Sequence, residues 1–302
     1  MKIIEISDEV KQALDDGAPV VALESTIIAH GLPRPDNLTA AIAFESQVRS
    51  AGVVPATIAV IDGVARVGLQ KDQLERVASE DLAKASVRDL PIVMSKGISG
   101  ATTVASTAWL ASLAGIRVFA TGGLGGVHRN AKTTFDESAD ISILSSTPVT
   151  VISAGVKSIL DISATLERLE SLSVSVVGYR TNKFPSFWLT ESEYQLDWRV
   201  DAPADVAHLM RFRDALGLKS GIIVANPVPL EEQWDPAVHD KLLESALGEA
   251  AKNGVRGKEV TPFVLSYIVN KSEGKSLAVN LDLVANNIAV ASQIARSWAE
   301  SP

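Results

Sequence analysis

Apolar β-type runs alternate with helical patterns along most of this 302-residue chain, the arrangement that stacks helices on a sheet. Val20–His30 (VVALESTIIAH) reads as a strand closed by Gly31 and the Pro33/Pro35 pair. Asn37 then caps a helix with apolar positions Leu38, Ile42, Phe44 and Val48. Pro55–Ile61 and Val64–Leu69 flank Asp62-Gly63, a dipeptide that supplies the positive φ of a tight hairpin turn. That pair is antiparallel, so the sheet is expected to be mixed rather than purely parallel.

Pro91–Ser95, Arg117–Thr121, Val149–Ser153, Val174–Tyr179 and Gly221–Asn226 read as further strands. Helices are expected over Thr103–Ala114, from Ser158 to about Leu172, and over Pro236–Asn253, Pro262–Asn270 and Leu281–Trp298. The polar aromatic stretch Arg180–Arg199 is the least regular part and reads as a lid or subunit-contact loop. With no internal repeat or low-complexity linker, the expectation is an α/β fold in one domain over residues 1–302. Its architecture is expected to be three-layer α/β/α, with a mixed, mostly parallel central sheet.

Composition narrows the function. A net charge of −8 is the reverse of the basic footprint that binds a nucleic-acid polymer, although a free nucleotide can still bind a local cationic pocket. No cysteine is present, which excludes disulfides and thiolate metal sites. The N-terminal MKIIEISDEVKQALDDG lacks the apolar core of a signal peptide, and no apolar run reads as long enough to span a bilayer. A cytoplasmic protein without membrane contact is the expectation.

The candidate chemistry concentrates between Phe119 and Asp161. Gly122-Gly123-Leu124-Gly125-Gly126 follows a strand, where glycines let backbone N–H groups approach an anion; a tight structural turn is the alternative. His128 and Arg129 can donate to phosphate, and Thr102-Thr103 can offer hydroxyls and helix N-terminal amides. His30, His208 and His239 read as ordinary, the first ending a strand and the others on polar helix faces.

Lys157 follows a buried strand and the small pair Ala154-Gly155 and begins the Ser158 helix. An ammonium beside a helix N-terminus is electrostatically penalised, which favours the neutral amine as a nucleophile. The competing reading is a surface lysine capping a loop. Glu24 sits inside an apolar strand, where a carboxyl either faces solvent or is kept as a general acid. Asp136 and Asp140, four apart in FDESAD, can support a hard divalent cation with water ligands; helix capping fits Asp136 nearly as well.

The motifs ALESTIIAHG, PATIAVIDG, GATTVAST, ATGGLGGVHR, TFDESAD, SAGVKSILD, ANPVP, GKEVTPF and NLDLVANNIAVASQIA, in this order from about Val20 to Ala295, resemble the pseudouridine-5′-phosphate glycosidase (indigoidine synthase A-like) family. The resemblance implies an enzyme that reversibly cleaves the C–C glycosidic bond of pseudouridine 5′-phosphate to uracil and ribose 5-phosphate. A C-glycoside has no heteroatom leaving group to protonate, so the family opens the ribose and forms a lysine Schiff base at C1′. By resemblance Lys157 is that lysine, Glu24 the proton donor and acceptor, and Asp136 the position of a water-bound divalent metal, manganese or another such as magnesium. Lys84, Thr103, Val104 and His128 fall where the family contacts ribose phosphate. Ser138, Ala139 and Asp140 line the substrate, and Asn280 and Asn287 match positions near base or sugar. A homotrimer is implied in the same way.

One departure is Asn130 and Lys132, where the family often has a glycine and then an acidic residue; Asn tolerates the positive φ of such a turn. Two rival readings share much of this pattern. One is a lysine-dependent aldolase or lyase on another sugar phosphate, and the other is a non-catalytic sugar-phosphate sensor.

Overall fold

The central parallel strands Val20–Leu23, Val118–Ala120, Thr150–Ser153 and Ile222–Ala225 are short, rich in β-branched residues and alanine, and buried on both faces, as crossover helices require. The computed structural model describes residues 3–256 and 259–300. In chain order the first half comprises β1 (Ile4–Ile6), α1 (Asp8–Asp15), β2 (Val20–Leu23), α2 (Asp36–Ser50), β3 (Val54–Ile61), β4 (Val64–Val67), α3 (Lys71–Ser79), β5 (Ala83–Ala85), α4 (Leu90–Ser95), β6 (Gly100–Thr102), α5 (Val104–Ala114) and β7 (Val118–Ala120). There follow α6 (Ala131–Thr134), α7 (Ala139–Leu144), β8 (Thr150–Ser153), α8 (Ile162–Ser171), β9 (Ser175–Tyr179), β10 (Arg199–Val200), α9 (Pro203–Ala215), β11 (Ile222–Ala225), α10 (Pro236–Lys252), α11 (Val260–Lys271) and α12 (Lys275–Glu300).

The strands run in the order β1-β4-β3-β2-β7-β8-β11-β9-β10, with β6 branching from β3 and β5 pairing β6. Among the described strands only β3 with β4 and β3 with β6 pair antiparallel, so the sheet is mixed and mostly parallel, with helices on both sides. The hairpin forms where Asp62-Gly63 places it, both residues taking positive φ (50° and 77°). β3 is long enough to pair β2 through Val54–Thr57 and β4 through Ile58–Ile61, which joins the antiparallel corner to the parallel body.

Four expectations give way to local chemistry. The strand from Val20 stops at Leu23, because the Ser25 hydroxyl accepts the Thr102 amide (2.8 Å) and the chain turns into a π-helical segment, Ile27–Gly31. Pro91–Ser95 is helical, with Pro91 in the first turn of α4, where its missing N–H costs nothing. Helix α8 starts at Ile162, not Ser158, because Asp161 caps it by accepting the Ala164 amide (3.0 Å). Asn37 lies inside α2, and its amide donates to the Ile28 and Ala78 carbonyls (both 2.9 Å).

The Arg180–Arg199 stretch is packed over its first half, where Phe184, Phe187 and Trp188 are buried core residues rather than a lid, while Trp198 near its end is exposed. Helix α12 is also longer than its pattern suggested. By length and composition it is apolar enough to cross a membrane, contrary to expectation. Here it packs on β2, β7, β8, α2 and α9, as a core helix does.

Candidate active site

Ligands of α/β sheets collect beyond the carboxyl ends of parallel strands. Here Glu24 leaves β2, the five-residue glycine loop leaves β7, and Lys157 lies just past β8, all lining one cavity of about 400 Å³. That volume lies within the range of ligand pockets.

Glu24 is buried, and its carboxylate accepts the hydroxyls of Thr26 and Thr121. These two donors fix its rotamer. Lys157 has no helix terminus beneath it, since α8 begins at Ile162; the electrostatic argument from the sequence therefore does not hold. Instead its Nζ donates to the Gly123 carbonyl (2.7 Å). Its amide donates to the Leu124 carbonyl (3.0 Å), and the Leu124 amide to the Gly155 carbonyl (2.9 Å). The glycine loop thus continues the β7–β8 pairing and sets the position of the lysine.

The loop glycines permit close approach of neighbouring side chains. A Cβ at Gly123 would stand 2.6 Å from the Phe187 ring, and at Gly125 and Gly126 it would collide with Ser138 and Thr165. The amides of Leu124 and Gly125 already donate within the protein, the second to Asp140 (2.7 Å). Asp140 spends its other oxygen on the Ala105 amide (2.9 Å) in the first turn of α5. Although it lines the cavity, Asp140 is a brace between that turn and the glycine loop, each of its oxygens accepting one backbone amide.

Lys84, Thr103, Val104, His128, Ser138 and Ala139 all line the same cavity, as the resemblance implied. Burial, and secondarily the Lys157 charge, holds the Lys84 ammonium below the ordinary lysine range. Burial likewise lowers His128, against the opposing pull of Asp136 with an Nδ1–Oδ2 distance of 3.7 Å. Such a cationic wall is relieved by an anionic ligand.

Arg129 does not join it; its guanidinium donates to the Ser158 and Ile159 carbonyls (2.9 and 3.3 Å). Asn130 has φ −103°, so the left-handed residue of this turn is Phe135 (φ 55°), and Lys132 lies near it in the exposed α6 segment.

Asn280 reaches the cavity, whereas Asn287 does not line it. Asn287 is fully buried behind it, donating to the Thr121 and Gly122 carbonyls (2.8 and 3.3 Å) and accepting from Asn226 (2.9 Å). Trp188, a donor only, gives its indole N–H to Asn280 Oδ1 (2.7 Å), which fixes the orientation of that amide.

Sequence reasoning missed several lining residues, among them Thr26, His30, Ser86, Arg88, Phe187 and Thr261. His30 was read as ordinary; the π-helical turn swings it into the wall, where burial and then Lys84 lower its pKa. His239 was read as surface but is buried.

Among the described residues no cluster of three metal-ligating side chains exists. Asp136 faces the cavity, while neighbouring Glu137 is paired with Arg168 (3.1 Å) and Asp140 is committed. Asp136, which also faces His128 Nδ1, is the carboxylate that fits a hard cation held mostly through water.

Sheet and cavity together define an α/β protein of enzyme type, with a carboxyl, an amine and a cationic wall at the strand ends. The chain belongs to the indigoidine synthase A like protein family, whose model matches residues 9–297. It is 58% identical over 297 residues to the pseudouridine-5′-phosphate glycosidase of Frankia alni, covering 98% of this chain and 82% of that one. It is 56% identical over 295 residues to the enzyme of the same name from Saccharopolyspora erythraea, covering 97% of each. Among solved structures, the prealnumycin C-glycosynthase AlnA in complex with ribulose 5-phosphate superposes with TM-score 0.91 at 34% identity, over 99% of this chain and 98% of that one. An indigoidine synthase A-like protein from Thermotoga maritima gives 0.90 at 35%, over 99% and 97%.

Proposed function

We propose that this chain cleaves the C–C glycosidic bond of pseudouridine 5′-phosphate, reversibly, to uracil and ribose 5-phosphate. The observation that carries the reading is that Glu24 and Lys157 line one cavity with Lys84 and His128, a carboxyl and an amine beside an anion-binding wall. The names of the relatives and the sugar phosphate bound by the C-glycosynthase support the same substrate class.

In this reading Lys84, His128 and Thr103 hold the phosphate, so binding energy remote from the reacting carbon orients the ribose. As the C1′–O4′ bond breaks and O4′ takes a proton, Lys157 Nζ leaves the Gly123 carbonyl, adds to C1′ and gives up a proton, so C1′ of the opened sugar carries a secondary amine beside the base. The nitrogen lone pair then forms the C1′=N bond as the C1′–C5 bond breaks; the bonding pair leaves on C5 of uracil, which takes up a proton, and water hydrolyses the Schiff base to free Lys157 and ribose 5-phosphate. Glu24, held by Thr26 and Thr121, carries protons to and from the reacting atoms. Asp136 would hold a divalent cation through water, manganese or magnesium, which when bound supplies positive charge to substrate oxygens. The protein acts as a homotrimer in the cytoplasm.

The test is uracil release from pseudouridine 5′-phosphate with manganese or EDTA, using uridine 5′-phosphate as control. Metal-dependent release from the C-nucleotide alone is expected. Lys157→Ala should abolish both turnover and the borohydride-trapped adduct with ribose 5-phosphate, whereas Glu24→Ala should lose turnover and keep the adduct. An active Lys157→Ala enzyme removes the mechanism. No release with any divalent metal removes the substrate and leaves an aldolase on another sugar phosphate, or a sensor, in its place.

A further inference from the structure

Lys157 is carried on a connection between β8 and α8 that is neither strand nor helix, so something must hold it still. The glycine loop fixes its cavity side. Its other side is fixed by α10, a helix that contributes no residue to the cavity lining. There His239, 2% exposed, places Nε2 3.1 Å from the Ser158 hydroxyl. Its Nδ1 lies 2.8 Å from Asp240 Oδ1.

A carboxylate only accepts, so the ring proton sits on Nδ1, and the bare Nε2 must accept from Ser158. Burial lowers the His239 pKa against the opposing pull of Asp240, while Arg129 lowers it further; the ring is held in the neutral form this bond requires. Aspartate, histidine and serine stand in the order of a hydrolytic triad, but Ser158 is buried and does not line the cavity, so its hydroxyl is not a nucleophile.

The imidazole is itself wedged edge-on against Trp188 and Trp234, with ring centroids 5.8 and 5.9 Å away. Trp188 also meets Phe187 of the cavity wall and donates to Asn280. A buried imidazole where a leucine would pack as well is costly unless its acceptor is used.

We propose that His239 is a positioning residue for Lys157, its Nε2 fixing the Ser158 hydroxyl and through it the segment that carries the amine. This rests on the reading of Lys157 as the nucleophile. The aromatic cluster around His239 ties that segment to Asn280 across the site.

The experiment is borohydride trapping of the full-length protein with ribose 5-phosphate, followed by intact mass against time over a range of sugar concentrations. His239→Leu removes the acceptor at similar volume and should slow trapping about tenfold or more through misplacement of the amine. The half-saturating sugar concentration should stay within about twofold, because the phosphate wall is untouched. His239→Gln, which keeps an acceptor, should restore the rate. Ser158→Ala should slow trapping likewise, and the double variant should be no slower than either single one.

Should His239→Leu fail to fold by thermal unfolding, Ser158→Ala carries the test, since it removes one hydroxyl and leaves the imidazole. An unchanged rate in the folded variants, or additive losses in the double variant, overturns the positioning role. Absence of an adduct in the unsubstituted protein is a different result: it sinks the Schiff-base reading itself and this inference with it.

Discussion

Replacing Asp140 by asparagine separates a brace from a ligand contact, the role the family resemblance implied. Its two oxygens accept the Ala105 and Gly125 amides at 2.9 and 2.7 Å, one from the first turn of α5 and one from the glycine loop. Asparagine offers one oxygen and one NH₂ group, so one amide keeps a partner and the other faces a donor. The lost bond to a charged acceptor costs about 1.5–3 kcal/mol, and the surviving bond falls to about half its charged strength. Together these predict a loss of about 2–4 kcal/mol in unfolding free energy. Urea unfolding followed by circular dichroism measures it, with the midpoint falling at unchanged slope. Turnover should fall as well, because Gly125 is two residues from the carbonyl that holds Lys157. A loss below about 0.5 kcal/mol, combined with a raised KM for substrate, would refute the brace and restore Asp140 as a ligand contact.

The remaining predictions concern the same walls. Trp188→Phe removes the N–H that orients the Asn280 amide; KM should rise about fivefold, one neutral hydrogen bond's worth, with kcat less affected, as steady-state kinetics will show. Gly123→Ala should abolish trapping at Lys157, because its Cβ meets the buried Phe187 ring at 2.6 Å. Asp136→Ala should reduce activity in manganese to the level left by EDTA, measured by uracil release. Finally, burial lowers His30, His128 and His239 below 6.5. As pH falls below about 6.5 the unfolded chain takes up protons before the fold does, so stability declines in that window. The urea midpoint should therefore be lower at pH 5.5 than at 7.5; a midpoint that rises would contradict it.

Much of this was legible in residue order. Asp62-Gly63 between apolar runs dictated the hairpin because a type of turn demands those residues, and the hairpin in turn made the sheet mixed. Glu24 and Lys157 were legible because each lies in or follows an apolar run, and His128 because it follows the glycine loop at a strand end, where a parallel sheet gathers ligands; Lys84 stood out only through the family resemblance. What escaped was whatever depends on side chains reaching the backbone of distant segments. The Ser25–Thr102 bond that ends β2 spans 77 positions, and no periodicity signals it. The same blindness made His30 a strand end and His239 a surface residue. Asn287 and Arg129 carried the right chemistry for a ligand, but carbonyls inside the protein claim them.

The hold on Lys157 has a consequence for how such a site endures sequence change. Its partner is a main-chain carbonyl, and the strands of the loop beside it are joined by amide-to-carbonyl bonds. Side-chain substitution cannot delete those groups; it can disturb them only through bulk at the glycines or through the Asp140 brace. Lineages can therefore exchange most residues around the cavity and still inherit the frame, and a relative sharing 34% of its residues superposes on this chain at TM-score 0.91. Specificity can drift in the side chains while the anchoring of the amine is passed on in the backbone.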